Sequence, residues 1–170
     1  MRNALLLAFL MVFTLQGFAQ EKAKVTDFRN IEWSTHKDSV FRSGEKVNFV
    51  KVENGVEDNA YRIPNDDMTI GTVKFDKLHY IFNDNNRFKK VFMQADQGYL
   101  ADMEFILNYK FGKPSKVQNL GYVNIKNWNL ENATFTLSEF KNNRDIFTLS
   151  LESQWERSAN FEENINDTID

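Results

Sequence analysis

One stretch beyond the N-terminus repeats its apolar positions with a helical period: residues 98–114, GYLADMEFILNYKFGKP. Leu100, Met103, Leu107 and Phe111 recur at steps of three and four, and Tyr99 and Ile106 widen the stripe. Asp96 stands where its carboxylate can accept from an orphan N–H at the helix start. Gly112 can take the left-handed conformation that closes a helix, and Pro114 prevents it resuming. Nearly everything else of length alternates with period two, which predicts strands that need such a helix to cover one face.

In chain order, Phe28, Ile31 and Trp33 lead into a predicted short helix capped by Ser34 or Thr35 and running to about Phe41. Thr35 and Asp38 have capping-box spacing there, and Trp33 packs over the first turns. Residues 47–52 predict a strand, and Asn54-Gly55 a turn closing a hairpin with 60–63. A second turn at 64–67 leads to a strand over 68–75, in which Gly71 marks a bulge or a close backbone contact. Asp76-Lys77 reads as a tight connection to a strand at 78–82, and Asn83 to Asn86 turn the chain into 88–95. After the helix come strands at 122–130, at Ala133, Phe135 and Leu137, and at Phe147, Leu149 and Leu151. The connections are too short for crossovers, so the strands are antiparallel. The expectation is an α+β fold: a twisted antiparallel sheet of about six to seven strands, the longer helix packed on one face, and a short N-terminal helix. The order of elements hints at a duplicated helix-plus-meander unit, although the two halves share no clear identity.

Composition adds a leader and removes several chemistries. Arg2, an apolar run over 4–15 and Gly17-Phe18-Ala19 form an expected signal peptide, 1–19, cleaved after Ala19 to leave Gln20 first. The run is well short of the roughly 20 residues that span a bilayer, so the mature chain is expected not to be transmembrane. With no cysteine anywhere, lipidation at the leader, disulfides, thiol nucleophiles and thiolate metal sites are excluded. Residues 20–151 suit one domain, whose 12 Phe, 5 Tyr and 2 Trp supply the buried area. Loss of the leader takes the net charge from −3 to −4. The segment 152–170, with six acids against Arg157, is expected to be a partly disordered acidic tail, and the near-neutral body excludes nucleic acid as a partner.

Phe28-x-x-Ile31-x-Trp33-x-Thr35, a strand meander and then Tyr109-x-Phe111-Gly112-Lys113-Pro114 resemble a group of uncharacterised small exported bacterial proteins. In that group a Trp-Gly-x-Ser turn opens the domain and Tyr-Gly-Lys-Pro ends the central helix. Here Ser34 stands in place of the glycine, and Phe111 is inserted before Gly112. The resemblance spans most of the mature chain. It implies an α+β fold and residence in the envelope or outside the cell, and it brings no catalytic residue. The order of helix and meander is also similar to that of bacterial inhibitor and outer-membrane-assembly modules.

Candidate chemistry is sparse. His36 reads as a surface residue of the short helix. His79 lies opposite in facing to Leu78, Tyr80 and Phe82, so it belongs to the open face of the sheet, or it serves as a base paired with Asp76 or Asp84. Two isolated histidines do not make a zinc site. Asp84-Asn85-Asn86 lacks the alternating ligands, glycine and final glutamate of a calcium loop, and it reads as a turn, as does Asp66-Asp67. Gly-rich phosphate cradles and Gly-x-Ser-x-Gly are absent. Asn132-Ala-Thr134 and Asn166-Asp-Thr168 fit glycosylation acceptors in a eukaryotic host. Trp128 and Trp155 are either partner anchors or ordinary packing. Phe105 and Tyr109, four apart and off the main stripe, read first as the edge of a wide core stripe and second as an aromatic patch for a partner. The leading expectation is an exported, non-enzymatic module without a cofactor, binding a protein or small-molecule ligand. The alternatives are a hydrolase using His79 with a carboxylate, and a structural envelope protein assembling through a strand edge.

Overall fold

A computed structural model describes residues 22–55 and 57–155. The expected leader, its cleavage site, the tail from 156 and the Asn166 acceptor lie outside the described residues. Two small ribbons open the chain: β1 (Asp27–Phe28) with β2 (Ile31–Glu32), and β3 (Phe41–Arg42) with β4 (Glu45–Lys46). The main sheet follows, built from β5 (Val50–Lys51), β6 (Ala60–Arg62), β7 (Thr69–Ile70), β8 (Val73–Phe82) and β9 (Phe88–Asp96), then β10 (Lys116–Asn119), β11 (Val123–Asn129), β12 (Ala133–Phe140) and β13 (Ile146–Ser153). The nine strands run in the order β10-β11-β12-β13-β9-β8-β6-β5, with β7 also on β8, and every pair is antiparallel. The one α-helix among the described residues, α1 (Leu100–Phe111), joins β9 to β10, and the β10–β13 meander brings the last described strand back beside β9. No helix among the described residues is long and apolar enough to cross a membrane.

The register sorts the strands' side chains into two faces. One core row is Trp128–Phe135–Leu151–Val91–Tyr80, and the next is Lys126–Leu137–Leu149–Met93–Leu78. Met103 and Leu107 of α1 are buried with these rows, and Phe111 stacks on Phe135 at 5.0 Å. The β8–β9 end of the same face is covered by the N-terminal ribbons, through Phe28, Ile31 and Val40. Trp33 stacks on Phe88 at 4.8 Å and donates its Nε1–H to the Val25 carbonyl at 2.6 Å. The opposite face carries the row Asn127–Thr136–Ser150–Phe92–His79, which is half-buried and polar over β11–β13.

The helix ends follow the sequence closely. Asp96 accepts from the Gly98 N–H at 2.7 Å, capping a 3-10 turn (Gln97–Tyr99) that runs straight into α1. Gly112 sits at φ 75°, a left-handed position that costs glycine little. The expected short N-terminal helix is not formed; a three-residue 3-10 turn (Lys37–Ser39) stands there instead. The reason is tertiary. Ser34 N–H donates to the Phe88 carbonyl at 2.9 Å, the Phe88 N–H donates to the Thr35 carbonyl at 3.0 Å, and Ser34 itself sits at φ 68°. Backbone groups committed to β9 cannot begin a helix. His36 rather than Thr35 caps the turn, its Nδ1 accepting from the Asp38 N–H at 3.2 Å.

Four features of the strands also differ. Gly71, at φ 60°, is the turn of the β7–β8 hairpin rather than a bulge within one strand, although the close approach is real: a Cβ added there would meet Ile106 at 3.0 Å. Asp76-Lys77 is a bulge within β8 and not a connection, since the register shifts between Phe75 and Lys77. The extra residue lets Phe75 and Leu78 both face the core across an odd spacing. β10 (Lys116–Asn119) lacks the apolar alternation that would mark it, and β13 continues past 151 to Ser153.

Candidate functional site

His79 sits on the face away from α1, where the alternation places it, but it is not open to solvent: its side chain packs beside Phe92 (ring centroids 6.0 Å) and only 9% of the residue is exposed. Burial, and then the charge of Lys77, push its pKa below the ordinary 6.5, so the ring is neutral at physiological pH. Its Nδ1 has no hydrogen-bond partner among the described residues. Neither proposed carboxylate pairs with it among the described residues. Asp84 instead accepts from Asn59 at 3.3 Å, while Asp76 is exposed at the bulge. Asp76 and Asp66 nonetheless line the same recess of about 280 Å³ as His79, without a hydrogen bond to its ring among the described residues. His36 is on the surface, and no group of three or more His, Asp or Glu able to hold a metal occurs among the described residues. Asn83 Oδ1 accepts from the N–H groups of Asn85 and Arg87, which accounts for the 83–86 turn.

The chain does assemble a polar cluster that sequence reasoning missed. Asp66, assigned only to a turn, has a side chain 6% exposed. Its carboxylate receives Arg29 Nη1 at 3.1 Å, Arg42 Nη1 at 2.9 Å, the Tyr80 hydroxyl at 2.5 Å and the Asp67 N–H at 3.0 Å. Arg42 also reaches the Tyr80 oxygen at 3.2 Å, and Arg29 donates to the carbonyls of Asp67 and Thr69. The cluster ties both N-terminal ribbons to the loop before β7 and to the core of β8. Nothing local marks it, because its members are scattered over 52 positions of sequence (29 to 80). The arrangement is a latch: Arg29, Arg42, Asp66 and Tyr80 come from separate segments and bond to one another, which holds the ribbons to the sheet.

That latch makes a prediction at high pH. Burial first, and then the hydrogen bond donated to Asp66, push the Tyr80 hydroxyl up to about 12 from its ordinary 10.0. Because the folded value lies above the unfolded one, the folded chain keeps a proton that the unfolded chain releases. The stabilisation is complete below about pH 10 and is lost as pH rises through about 12. The expected loss from Tyr80 is about 2–3 kcal/mol, measured by denaturant unfolding at stepped pH. Tyr80→Phe should flatten this alkaline decline; an equal decline in that variant would refute the assignment to Tyr80.

Phe105 and Tyr109 are the largest departure from expectation. The wide-stripe reading fails: Phe105 is 69% and Tyr109 82% exposed, and the stripe packed on the core runs through Met103, Ile106, Leu107 and Phe111 without them. The two rings stack on each other, with centroids 6.2 Å apart and planes 19° apart. Beside them, Glu104 pairs with Lys126 and Thr72 donates to Asp102 at 3.4 Å, which helps to hold the helix in position on the sheet. Trp128, by contrast, is ordinary packing, 1% exposed, with its Nε1–H donated to the Gly112 carbonyl at 2.9 Å. Trp155 is half-buried, and its Nε1 has no partner among the described residues. No protein-family model, curated protein or solved structure matches the chain.

Proposed function

We propose that the protein is an exported, non-enzymatic binding module that contacts a partner through the outer face of α1. The observation that carries this reading is the exposed pair Phe105 and Tyr109 on a helix whose inner face is locked into the core. Two large aromatic rings held in water lose hydrophobic free energy that a partner surface recovers, and a fixed helix adds little ordering cost on binding. The leader-like residues 1–19 and the resemblance to small exported bacterial chains support the exported part of the proposal. The burial of His79, which keeps its ring neutral, and the lack of a carboxylate hydrogen-bonded to it among the described residues favour binding over hydrolysis. A second reading, assembly through a strand edge, draws on β10, which ends the sheet and leaves Val117 exposed.

The test is a pull-down from envelope and culture fractions with the chain beginning at Gln20, beside a Phe105→Ala/Tyr109→Ala variant. Both side chains are exposed, so the variant should keep its stability within about 0.5 kcal/mol each. The expected result is a specific partner whose affinity falls at least about 30-fold, the effect of losing an interface centre worth about 2 kcal/mol. Equal capture by both chains would move the contact to the sheet face or the β10 edge. Capture by neither would overturn the protein-binding reading.

A further inference from the structure

The sheet face turned away from α1 carries a recess of about 390 Å³ over β10–β13. Its neutral lining is Asn127, Asn129, Thr134, Thr136, Ser153 and Gln154. These groups are already ordered by one another. Thr136 donates to Asn127 Oδ1 at 2.9 Å, Gln154 Nε2 donates to Thr134 Oγ1 at 2.9 Å, and Thr134 donates to Asn129 Oδ1 at 3.4 Å. The bonds set the amide orientations. They leave the Nδ2–H groups of Asn127 and Asn129 as donors and the Gln154 Oε1 as an acceptor. Side chains held this way lose little further freedom when a ligand arrives.

The charged residues of the lining are Lys116 on β10 and Glu152 on β13, the first and fourth strands of the recess. One cation and one anion leave no net charge to attract an ion. The row Asn127–Thr136–Ser150 then continues to Phe92, whose half-buried ring lies on the same face, roughly 14 Å from Asn127 at about 4.8 Å per strand. Fixed donors and acceptors without net charge, followed by an aromatic surface, match a ligand with many hydroxyls on its edges and C–H groups on its faces. We propose that this face binds a neutral oligosaccharide, with hydroxyls on Asn127, Asn129 and Gln154 and a pyranose face on Phe92.

The site is independent of the α1 surface and is tested separately. Isotope-labelled chain from Gln20 is titrated with maltohexaose, cellohexaose and chitohexaose, following the side-chain amide resonances of Asn127, Asn129 and Gln154. Saturable shifts with at least one sugar are expected. Thr136→Val, which keeps the strand-forming shape and frees the Asn127 amide, should weaken binding about fivefold, the effect of about 1 kcal/mol. Phe92→Leu, which preserves apolar bulk, should weaken it comparably if the ring stacks on sugar. Lys116→Ala should change affinity by less than about twofold, because the ligand carries no charge. The Phe105→Ala/Tyr109→Ala chain should bind sugar normally, so failure of the helix-face reading leaves this result standing. Absence of shifts with all three sugars overturns the proposal, as does a larger loss from Lys116→Ala than from Thr136→Val.

Discussion

Asp66→Asn is expected to destabilise the fold by about 3–5 kcal/mol, toward the lower figure because solvent reaches both arginines. The carboxylate is 6% exposed, whereas the side chains of Arg29 and Arg42 are 17% and 29% exposed. Replacing it with an amide leaves two desolvated guanidinium groups facing each other without their shared anion. It also turns an NH₂ group toward donors that now have nothing to donate to. Denaturant unfolding at neutral pH measures the loss, and hydrogen exchange locates it. Amides of β1–β4 should lose protection before those of β8, β9 and β13, since the latch is what fastens the ribbons. Asp67→Asn serves as the control, because the Asp67 side chain is exposed and, among the described residues, its carboxylate accepts only from Thr69, at 2.9 and 2.7 Å. A cost below about 1 kcal/mol for Asp66→Asn would place the cluster among ordinary surface ion pairs.

Trp128→Ala is expected to cost about 3–5 kcal/mol, from lost burial together with the cavity left behind. Trp128 starts the core row that runs through Phe135, Leu151 and Val91 to Tyr80, and it lies beneath the point where α1 ends. Its indole N–H satisfies the Gly112 carbonyl, one of the acceptors that a helix C-terminus leaves open. Trp128→Phe separates the two contributions. It keeps most of the apolar volume and loses the hydrogen bond, so about 1–2 kcal/mol is expected. If Phe at this position costs as much as Ala, the hydrogen bond rather than packing secures the helix end, and the cavity argument fails.

The central helix was legible because its signals are local. The i, i+3, i+4 stripe, the Asp96 cap and the Gly112-Lys113-Pro114 stop all lie within 19 consecutive residues (96–114), and the structure uses each of them. β12 was legible for the same reason, since Ala133, Phe135 and Leu137 alternate with Thr134, Thr136 and Ser138. The stretch from Ser34 to Phe41 misled because its capping residues satisfy a helix rule locally, while the backbone at Ser34 and Thr35 is bonded to Phe88, far along the chain. The β8 bulge misled because Asp76-Lys77 has turn composition, and only the pairing with Ala95 and Gln94 shows that the strand continues.

Of the candidate sites, the sequence placed His79 on the correct face and Phe105 and Tyr109 on the correct helix. It could not tell how much water reaches them. Exposure depends on which elements fold over a face, and neither ring of the helix pair is covered, whereas His79 is closed in beside Phe92. The sequence by itself determined the class of the fold, the helix and its ends, and most strand-forming segments, because those depend on periodicity and on residues within a few positions. The tertiary structure alone decided the nine-strand order, the Asp66 latch and the polar recess, because each arises from side chains far apart in sequence whose meeting depends on register.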